Sequence, residues 1–293
     1  MKLDALMIFF SSNSSFARRR FLQGCVAAAV GISLTIGSCL APLAHAEDTP
    51  PAKIDVGALP AKIVDDVVVP VPTEVFGVLD KLGSPNWHAV LRRTLNVNPG
   101  GERPKVALLL GTVIAEGFIA VEAQEPEEVK KIGRSVLSLA GAIGVRKSVI
   151  SRTNSIIDAA DKKDWKRVRI ELDGASQDVK QSMIELKDEQ LAQLVSLGGW
   201  LRGTEALTQV VSKNYTKDSA ELLHQPALVD HFQRQIDAMS PRLQRHPLVK
   251  KVRSQLPEIR ALIEDPDSIS AQKVNQIRTI TEELVKEISA QES

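Results

Sequence analysis

The chain has 293 residues, of which 43% are hydrophobic, 25% are charged and 4% are aromatic. These values are typical of globular proteins and exclude the disordered and collagen-like classes. Residues 1–46 carry a net charge of +3, so the formal +1 of the whole chain becomes −2 for residues 47–293. The remainder has no basic excess, which argues against a nucleic-acid-binding protein.

Residues 1–46 have the features of a signal peptide. A basic start is followed by an apolar run from Val26 to Ile36, and Ala44-His45-Ala46 forms a small-residue cleavage site. The run Arg18-Arg19-Arg20-Phe21-Leu22 resembles the twin-arginine signal class, in which two arginines precede a variable residue, a phenylalanine and a leucine. Ala17 and Gln23 depart from that class at its flanks. The resemblance implies export of a folded protein, and an ordinary arginine-rich secretory signal is the alternative.

Two cleavage sites compete in this segment. Cleavage after Ala46 removes both cysteines of the chain, Cys25 and Cys39, so the mature protein has no thiol. Ile36-Gly37-Ser38-Cys39 loosely matches the box that precedes a lipidated cysteine in bacterial lipoproteins, and cleavage there would tether the protein to a membrane. We favour cleavage after Ala46. Either site places the protein outside the cytoplasm, in the periplasm first, with the outer surface or a membrane tether as alternatives.

The mature chain begins with a leader over residues 47–72, which holds five of the fifteen prolines. This composition and the β-branched run Val67–Val69 predict extended chain. From Thr73 onward, apolar residues recur at intervals of three and four, so we predict an all-α fold, an irregular bundle of about nine or ten helices. We expect one helical domain over 73–293, with a sub-boundary near 215–225 as the alternative.

Start and stop residues divide this domain into helices. We predict helices over 73–83, 84–93, 104–123, 126–144, 147–160, 164–187, from Asp188 onward, and over 217–224, 226–239, 241–263 and 270–288, with breaks at Pro247 and Pro257. The segment 104–123 is apolar nearly all round, which indicates a helix surrounded by others. Glu116 and Glu122 argue against a membrane span, because a charge near the bilayer centre is costly.

The helix that opens at Asp188 contains three glycines, Gly198, Gly199 and Gly203. Each interior glycine costs a helix about 1 kcal/mol relative to alanine, so something must offset them. Gly199 and Gly203 are four residues apart and share a face. We predict that this face crosses the apolar helix at its small residues, Gly111 and Gly117, and that Trp200 fills the volume beside the crossing.

A polar cluster is expected at the same crossing. Glu116 lies among apolar residues, and a buried carboxylate needs a hydrogen-bonded cation or a proton. Arg202 is the candidate cation, and Glu205 lies three residues beyond it. We interpret Glu116, Arg202 and Glu205 as an internal ion-pair cluster that fixes helix register; a small-molecule or metal pocket and a solvent-exposed Glu116 are the alternatives.

One stretch, 234–253, is locally basic. Its cations include Arg242, Arg245, Lys250, Lys251 and Arg253, against the single acid Asp237. Such a surface suits an acidic partner or anionic lipid headgroups, although a solvated face is the commoner explanation.

Motifs for nucleotide binding, serine hydrolysis and zinc peptidase chemistry are missing from the sequence. The spacing of the four histidines after residue 46 and the acidic groups predicts no metal site, and we predict no cofactor. The sequence therefore favours an exported, non-catalytic binding or scaffold protein of the bacterial cell envelope, whose partner is an envelope protein or a small molecule. The alternatives are a cofactor- or small-molecule-binding enzyme with its site around Glu116 and Arg202, and a lipoprotein acylated at Cys39.

Overall fold

The computed structural model describes residues 61–64, 67–70, 85–92 and 97–290. The signal segment, Cys39 and the helix predicted over 73–83 lie outside these residues. Most of the described chain is helical, which confirms the all-α fold class and the expected number of helices. The described residues contain ten α-helices, namely α1 (Arg103–Glu122), α2 (Pro126–Ala142), α3 (Arg146–Asp161), α4 (Trp165–Glu185), α5 (Glu189–Lys213), α6 (Lys217–Glu221), α7 (Pro226–Asp237), α8 (Pro241–Arg245), α9 (Pro247–Leu262) and α10 (Ala271–Ser289).

A short hairpin precedes the helices. Its strands, β1 (Ala61–Val64) and β2 (Val67–Pro70), pair antiparallel with Val64 opposite Val67. The sequence predicts extended chain here but no sheet. The pairing is missed because Asp65-Asp66, the two residues between the strands, lack the glycine that usually identifies a two-residue hairpin turn.

Local capping explains several helix boundaries. Asp164 caps α4 as predicted, since its carboxylate accepts a hydrogen bond from the Arg167 backbone nitrogen at 3.0 Å. Ser270 caps α10 in the same way, through the Lys273 backbone nitrogen. After α2, Gly144 has a φ of 90°, in the left-handed region that favours glycine, and this conformation lets the chain turn directly into α3.

Two predicted boundaries are wrong. Within residues 85–92, the helix expected over 84–93 is only a 3₁₀ turn at Trp87–Ala89, because the Arg92 backbone nitrogen donates to the Glu116 carboxylate instead of to a helical carbonyl. The break expected at Pro247 is present, because α8 ends at Arg245 and α9 begins at Pro247. The break expected at Pro257 is wrong, because α9 continues through it. The apolar face of α9 is buried on both sides of Pro257, and this packing offsets the hydrogen bond that proline cannot donate.

Helix α1 forms the centre of the fold. Every residue from Val106 to Val121 is buried, with α5 packed along one side, α2 along another, and α4 and α10 touching it more sparsely. Among the described residues, α1 is the one helix long and apolar enough to cross a membrane, and 89% of its most apolar stretch is buried inside the protein. This burial is that of a core helix, in agreement with the argument from Glu116 and Glu122.

The other helices are arranged around α1 and α5. Consecutive helices pack as neighbours from α1 to α4, so that α4 is held mainly by α3 and only at a few positions by α1 and α5. Helix α10 packs on α5, and α9 lies against α7 and α10. One hydrophobic cluster extends from Val106 in α1 to Ile288 in α10. A sub-boundary near 215–225 stays a prediction.

Candidate functional site

The closest approach in the core is the crossing of α1 and α5. A β-carbon on Gly111 would overlap the Val195 carbonyl oxygen and lie 2.7 Å from the Gly199 backbone nitrogen. On the opposite helix, a β-carbon on Gly198 would overlap the Leu108 carbonyl oxygen. Glycine is therefore required at both positions because the two backbones are in direct contact.

The predicted set of crossing residues needs correction. Gly111 is at the contact, where it meets the backbone of Val195 and Gly199. The glycine of α5 that packs directly on α1 is Gly198, against Leu108, and Gly203 is only half-buried. Gly117 faces the side chains of Ile132 in α2 and Leu172 in α4. Six residues correspond to a rotation of about 600° around a helix, so Gly111 and Gly117 point in different directions.

Trp200 lies beside the crossing, as predicted, and is buried. Its ring packs against Phe232 of α7, with the ring centroids 5.4 Å apart. The indole Nε1 has no hydrogen-bond partner among the described residues. Trp200 therefore joins α5 to α7 through apolar contact.

The crossing brings Glu116 and Arg202 together. Arg202 Nε donates to Glu116 Oε2 at 2.7 Å, and both side chains are buried. One turn earlier, the Thr112 hydroxyl donates to the Gly198 carbonyl at 3.3 Å. Both contacts join residues that are 86 positions apart, so α1 and α5 run in the same direction here. The close backbone contact at Gly198 thus places the ion pair one turn further along.

Glu205 completes the predicted cluster, and Arg92 is an additional member. Arg202 Nη1 donates to Glu205 Oε2 at 3.4 Å. Arg92 Nε donates to Glu205 Oε1 at 3.0 Å, and Arg92 Nη2 bonds the same oxygen. Gln209 adds a third donor to that oxygen at 3.1 Å. The cluster therefore contains two arginines and two glutamates, and its formal charges balance.

The cluster also fixes the segment 85–92 to the two helices. The Arg92 backbone nitrogen donates to Glu116 Oε1 at 2.5 Å, and Arg202 Nη2 donates to the Val90 carbonyl at 2.6 Å. Trp87 and Val90 are buried in a small hydrophobic cluster with residues of α1 and α5. The charged groups thus hold the N-terminal segment in place over the crossing.

Sequence reasoning missed Arg92, although one signal for it existed. Two buried carboxylates, Glu116 and Glu205, leave one negative charge without compensation when Arg202 is the only cation. Because an unpaired buried charge is very costly, a second cation had to be present. The signal gave no position, since Arg92 lies 113 residues from Glu205 in the chain and outside the two helices that cross.

The predicted basic surface is smaller than its sequence indicated. Lys251 pairs with Glu287 of α10, and Arg253 Nε lies 2.7 Å from an Asp237 oxygen. Arg242, Arg245 and Lys250 are exposed, and they make no ion pair with the described residues. These three cations on α8 and the start of α9 are the free remainder of the patch.

A second group of charges, not predicted, joins α3 to α4. Arg152 donates from Nε to Asp178 at 3.0 Å and from Nη1 to Glu171 at 3.1 Å. The pKa of Arg152 is raised, most by its hydrogen bond to Asp178 and next by its hydrogen bond to Glu171. Its guanidinium lies across Gly174, where a β-carbon would be 2.6 Å from the Arg152 Cζ. Gly174 therefore gives the arginine room to reach both acids.

Asp173 lies beside this group but is poorly compensated. Gln177 donates to Asp173 Oδ2 at 2.9 Å, whereas Asp173 Oδ1 is buried with no partner among the described residues. Burial raises the pKa of Asp173, and the charge of Arg152 acts in the opposite direction. The carboxyl therefore holds its proton more tightly than an exposed aspartate does.

The histidines are dispersed. His88 Nδ1 lies 3.0 Å from Glu125, and His246 Nε2 lies 3.2 Å from Glu102. In the part of the chain that the structure describes, no three His, Cys, Asp or Glu side chains are grouped closely enough to hold a metal ion.

The buried cluster at the crossing thus has an obvious structural action. Its hydrogen-bonding groups are directed at one another and at backbone atoms, so it can fix the register of α1 and α5 and anchor the segment before α1. Comparison with protein-family models, with curated proteins and with solved structures finds no match to this chain.

Proposed function

We propose that this chain is an exported helical protein of the bacterial cell envelope that acts by binding rather than by catalysis. Export rests on the sequence of residues 1–46, which combines a twin-arginine-like run with the Ala44-His45-Ala46 cleavage site. The observation that carries the non-catalytic part is the mutual pairing of Glu116, Arg202, Glu205 and Arg92. The polar groups that were the best candidates for catalysis are already bonded to one another.

This pairing weighs against the enzyme alternative for a physical reason. A catalytic acid or base must reach a substrate atom within hydrogen-bond distance. Glu116 and Glu205 are buried, and their oxygens accept bonds from two arginines and a backbone nitrogen. A substrate would have to break these bonds to reach either carboxylate.

The export route has a sharp test in the arginine run. In the twin-arginine class the pair is Arg18-Arg19 and Arg20 is the variable residue, so Arg18→Lys with Arg19→Lys should stop export of the full-length protein. Arg20→Lys is the matched control and should leave export intact. The measurement is the amount of protein in periplasmic and cytoplasmic fractions. Twin-arginine export is contradicted if the Arg20→Lys control loses export as completely as the double variant does. It is also contradicted if the double variant is exported normally.

Intact mass of the exported protein identifies the cleavage site. A chain that starts at Glu47 is expected, and it would be free of cysteine. An acylated chain that starts at Cys39 would support the lipoprotein alternative instead, with the same domain held at a membrane. Cytoplasmic protein with residues 1–46 still attached would overturn the proposal of an envelope location.

A pull-down from envelope extracts tests the binding role. The mature protein is the bait, and Arg242→Glu with Arg245→Glu is the matched variant, because these exposed cations make no ion pair with the described residues. Retention of an envelope component by the wild type supports a binding function. Turnover of a substrate that is lost in Glu116→Gln while the fold is retained would contradict the non-catalytic part.

A further inference from the structure

Segment 85–92 contacts α1 and α5 but belongs to neither helix. Its regular structure is limited to the 3₁₀ turn at Trp87–Ala89. Residues 93–102 join the segment to α1, and residues 98–100 of this connection are exposed. The segment thus packs on the two helices as a short, largely non-helical peptide would.

Charged side chains of the two helices bind the main chain of this segment. Arg202 Nη2 donates to the Val90 carbonyl at 2.6 Å, and the Arg92 backbone nitrogen donates to Glu116 Oε1 at 2.5 Å. Glu116 binds Arg202 through its other oxygen, so one ion pair holds both a carbonyl and an N–H group of the segment. Main-chain hydrogen bonds of this kind provide affinity when a protein recognises an extended peptide.

Side-chain contacts add specificity to this binding. The guanidinium of Arg92 bonds the carboxylate of Glu205 on α5. Trp87 and Val90 are buried in the small hydrophobic cluster that they share with residues of α1 and α5. Tryptophan and arginine are the residues that most often dominate the energy of protein interfaces. The surface of α1 and α5 under segment 85–92, which we call the peptide groove, therefore fits the pattern Trp-x-x-Val-x-Arg.

The charge of the peptide groove requires a cation at the position of Arg92. Glu116 and Glu205 carry two negative charges, and Arg202 supplies one positive charge. The Arg92 side chain is 25% exposed while that of Glu205 is fully buried, so the arginine reaches its partner from the surface. An arginine of another peptide would follow the same path without any movement of α1 or α5. A lysine fits less well, because its ammonium group is compact and strongly hydrated.

We propose that the peptide groove is a peptide-recognition site, that residues 87–92 are its built-in ligand, and that a separate peptide with the pattern Trp-x-x-Val-x-Arg binds in the same place. The inference rests on the proposed binding function and names the class of partner, an extended peptide with a tryptophan and an arginine at this spacing. The covalent link keeps the built-in ligand at a high local concentration, so an outside peptide competes with it.

The test removes the covalent link after the mature protein has folded. One specific protease site is inserted after Gly100, in the exposed connection to α1, because exposed loops tolerate insertions. A second site is inserted between Gly83 and Ser84. Cleavage at both sites leaves peptide 84–100 without a bond to the helical domain. The peptide should nevertheless elute with the domain on gel filtration.

Exchange with a fluorescent synthetic peptide 84–100 measures the specificity, with anisotropy as the readout of binding to the cleaved protein. Arg92→Ala in the synthetic peptide should weaken binding about tenfold or more, because it removes hydrogen bonds to a buried charged group. Trp87→Ala should weaken binding to a similar degree. Ala89→Ser is the matched control, because Ala89 is exposed, and its affinity should equal that of the wild-type peptide.

Two results overturn the proposal. One is that peptide 84–100 leaves the domain on cleavage and the synthetic peptide does not bind the cleaved protein, whether or not circular dichroism shows that the domain stays folded. The other is that the Arg92→Ala peptide binds as tightly as the wild-type peptide. Export and the mass of the mature protein do not depend on the peptide groove, so failure here is distinguishable from failure of the proposed envelope function.

Discussion

Gly198 lies so close to Leu108 that a β-carbon on Gly198 would overlap the Leu108 carbonyl oxygen and lie 3.0 Å from the Leu108 Cα. Both atoms belong to backbone, so neither helix can relieve the overlap by turning a side chain. The separation of α1 and α5 is thus set by this glycine and by Gly111 on the facing helix.

Gly198→Ala is expected to destabilise the protein by about 3 kcal/mol, because the added methyl must push two packed helices apart. Gly141→Ala in α2 is the control. That position is exposed, and the nearest atom to its added carbon is an Arg146 side-chain carbon at 3.8 Å. The control should gain about 0.5–1 kcal/mol from the lower entropy of the unfolded chain. Urea unfolding of both variants measures the difference, and equal effects would contradict the close contact.

Arg202→Met is expected to cost about 3–5 kcal/mol, because it leaves Glu116 buried without a cation and Glu205 with a weaker set of partners. The double variant Arg202→Met with Glu116→Leu removes one charge of each sign and keeps the Arg92–Glu205 pair. It should therefore be more stable than Arg202→Met alone. A loss below about 0.5 kcal/mol in Arg202→Met would show that no buried charge depends on this arginine.

The raised pKa of Asp173 predicts that the stability of the protein falls as the pH rises. Its pKa is raised in the folded protein, so the unfolded chain releases its proton first as the pH rises above about 3.9. Stability is therefore lost between the unfolded and the folded pKa, and the loss persists at neutral pH. Asp173→Asn should be more stable than the wild type at pH 7 and equally stable near pH 3.

The control for this experiment is Asp178→Asn, which removes the negative charge that pairs with Arg152. Asp178→Asn should be less stable than the wild type at pH 7. Urea unfolding from pH 3 to pH 8 separates the two variants. A neutral-pH loss of stability in Asp173→Asn would mean that the charged form of Asp173 is the stabilising one.

The two halves of the basic surface should respond differently to charge reversal. Arg242→Glu should change stability by less than about 0.5 kcal/mol, because Arg242 is exposed and makes no ion pair with the described residues. Arg253→Glu should cost up to about 1 kcal/mol, because it places a second negative charge beside Asp237. Thermal unfolding at low salt measures both changes, and high salt should reduce the loss in Arg253→Glu.

The sequence predicted the Glu116–Arg202 contact because a carboxylate within an apolar helix requires a nearby cation. It did not predict which glycine makes the crossing. Residues four apart on a helix differ by about 40° in direction, so a face that contains Arg202 also contains Gly198. Gly199 and Gly203 also share a face, and glycine spacing alone cannot tell which face meets α1. Arg202 identifies the face that meets α1, because its side chain must reach Glu116, and that face contains Gly198.

Other features were beyond sequence reasoning for different reasons. A small apolar cavity beside Ser176, between α1, α2, α3 and α4, depends on how these four helices fit together. A serine in a helix is usually exposed or bonded to its own backbone, so the sequence did not indicate it. The partial extent of the basic surface depends on acids that are far away in the chain, such as Glu287. Contacts between distant segments of this kind leave no periodic pattern in a single sequence.

Helix α1 also bears on the proposed export of this protein by the twin-arginine route. A chain threaded through a secretion channel residue by residue would offer this apolar segment to the surrounding lipid before α5, more than sixty residues later, had emerged to cover it. A translocating segment of this length and hydropathy risks lodging in the bilayer as a stop-transfer sequence. A protein that folds before export buries this segment in its core, which is a physical reason to favour the proposed export of the folded protein.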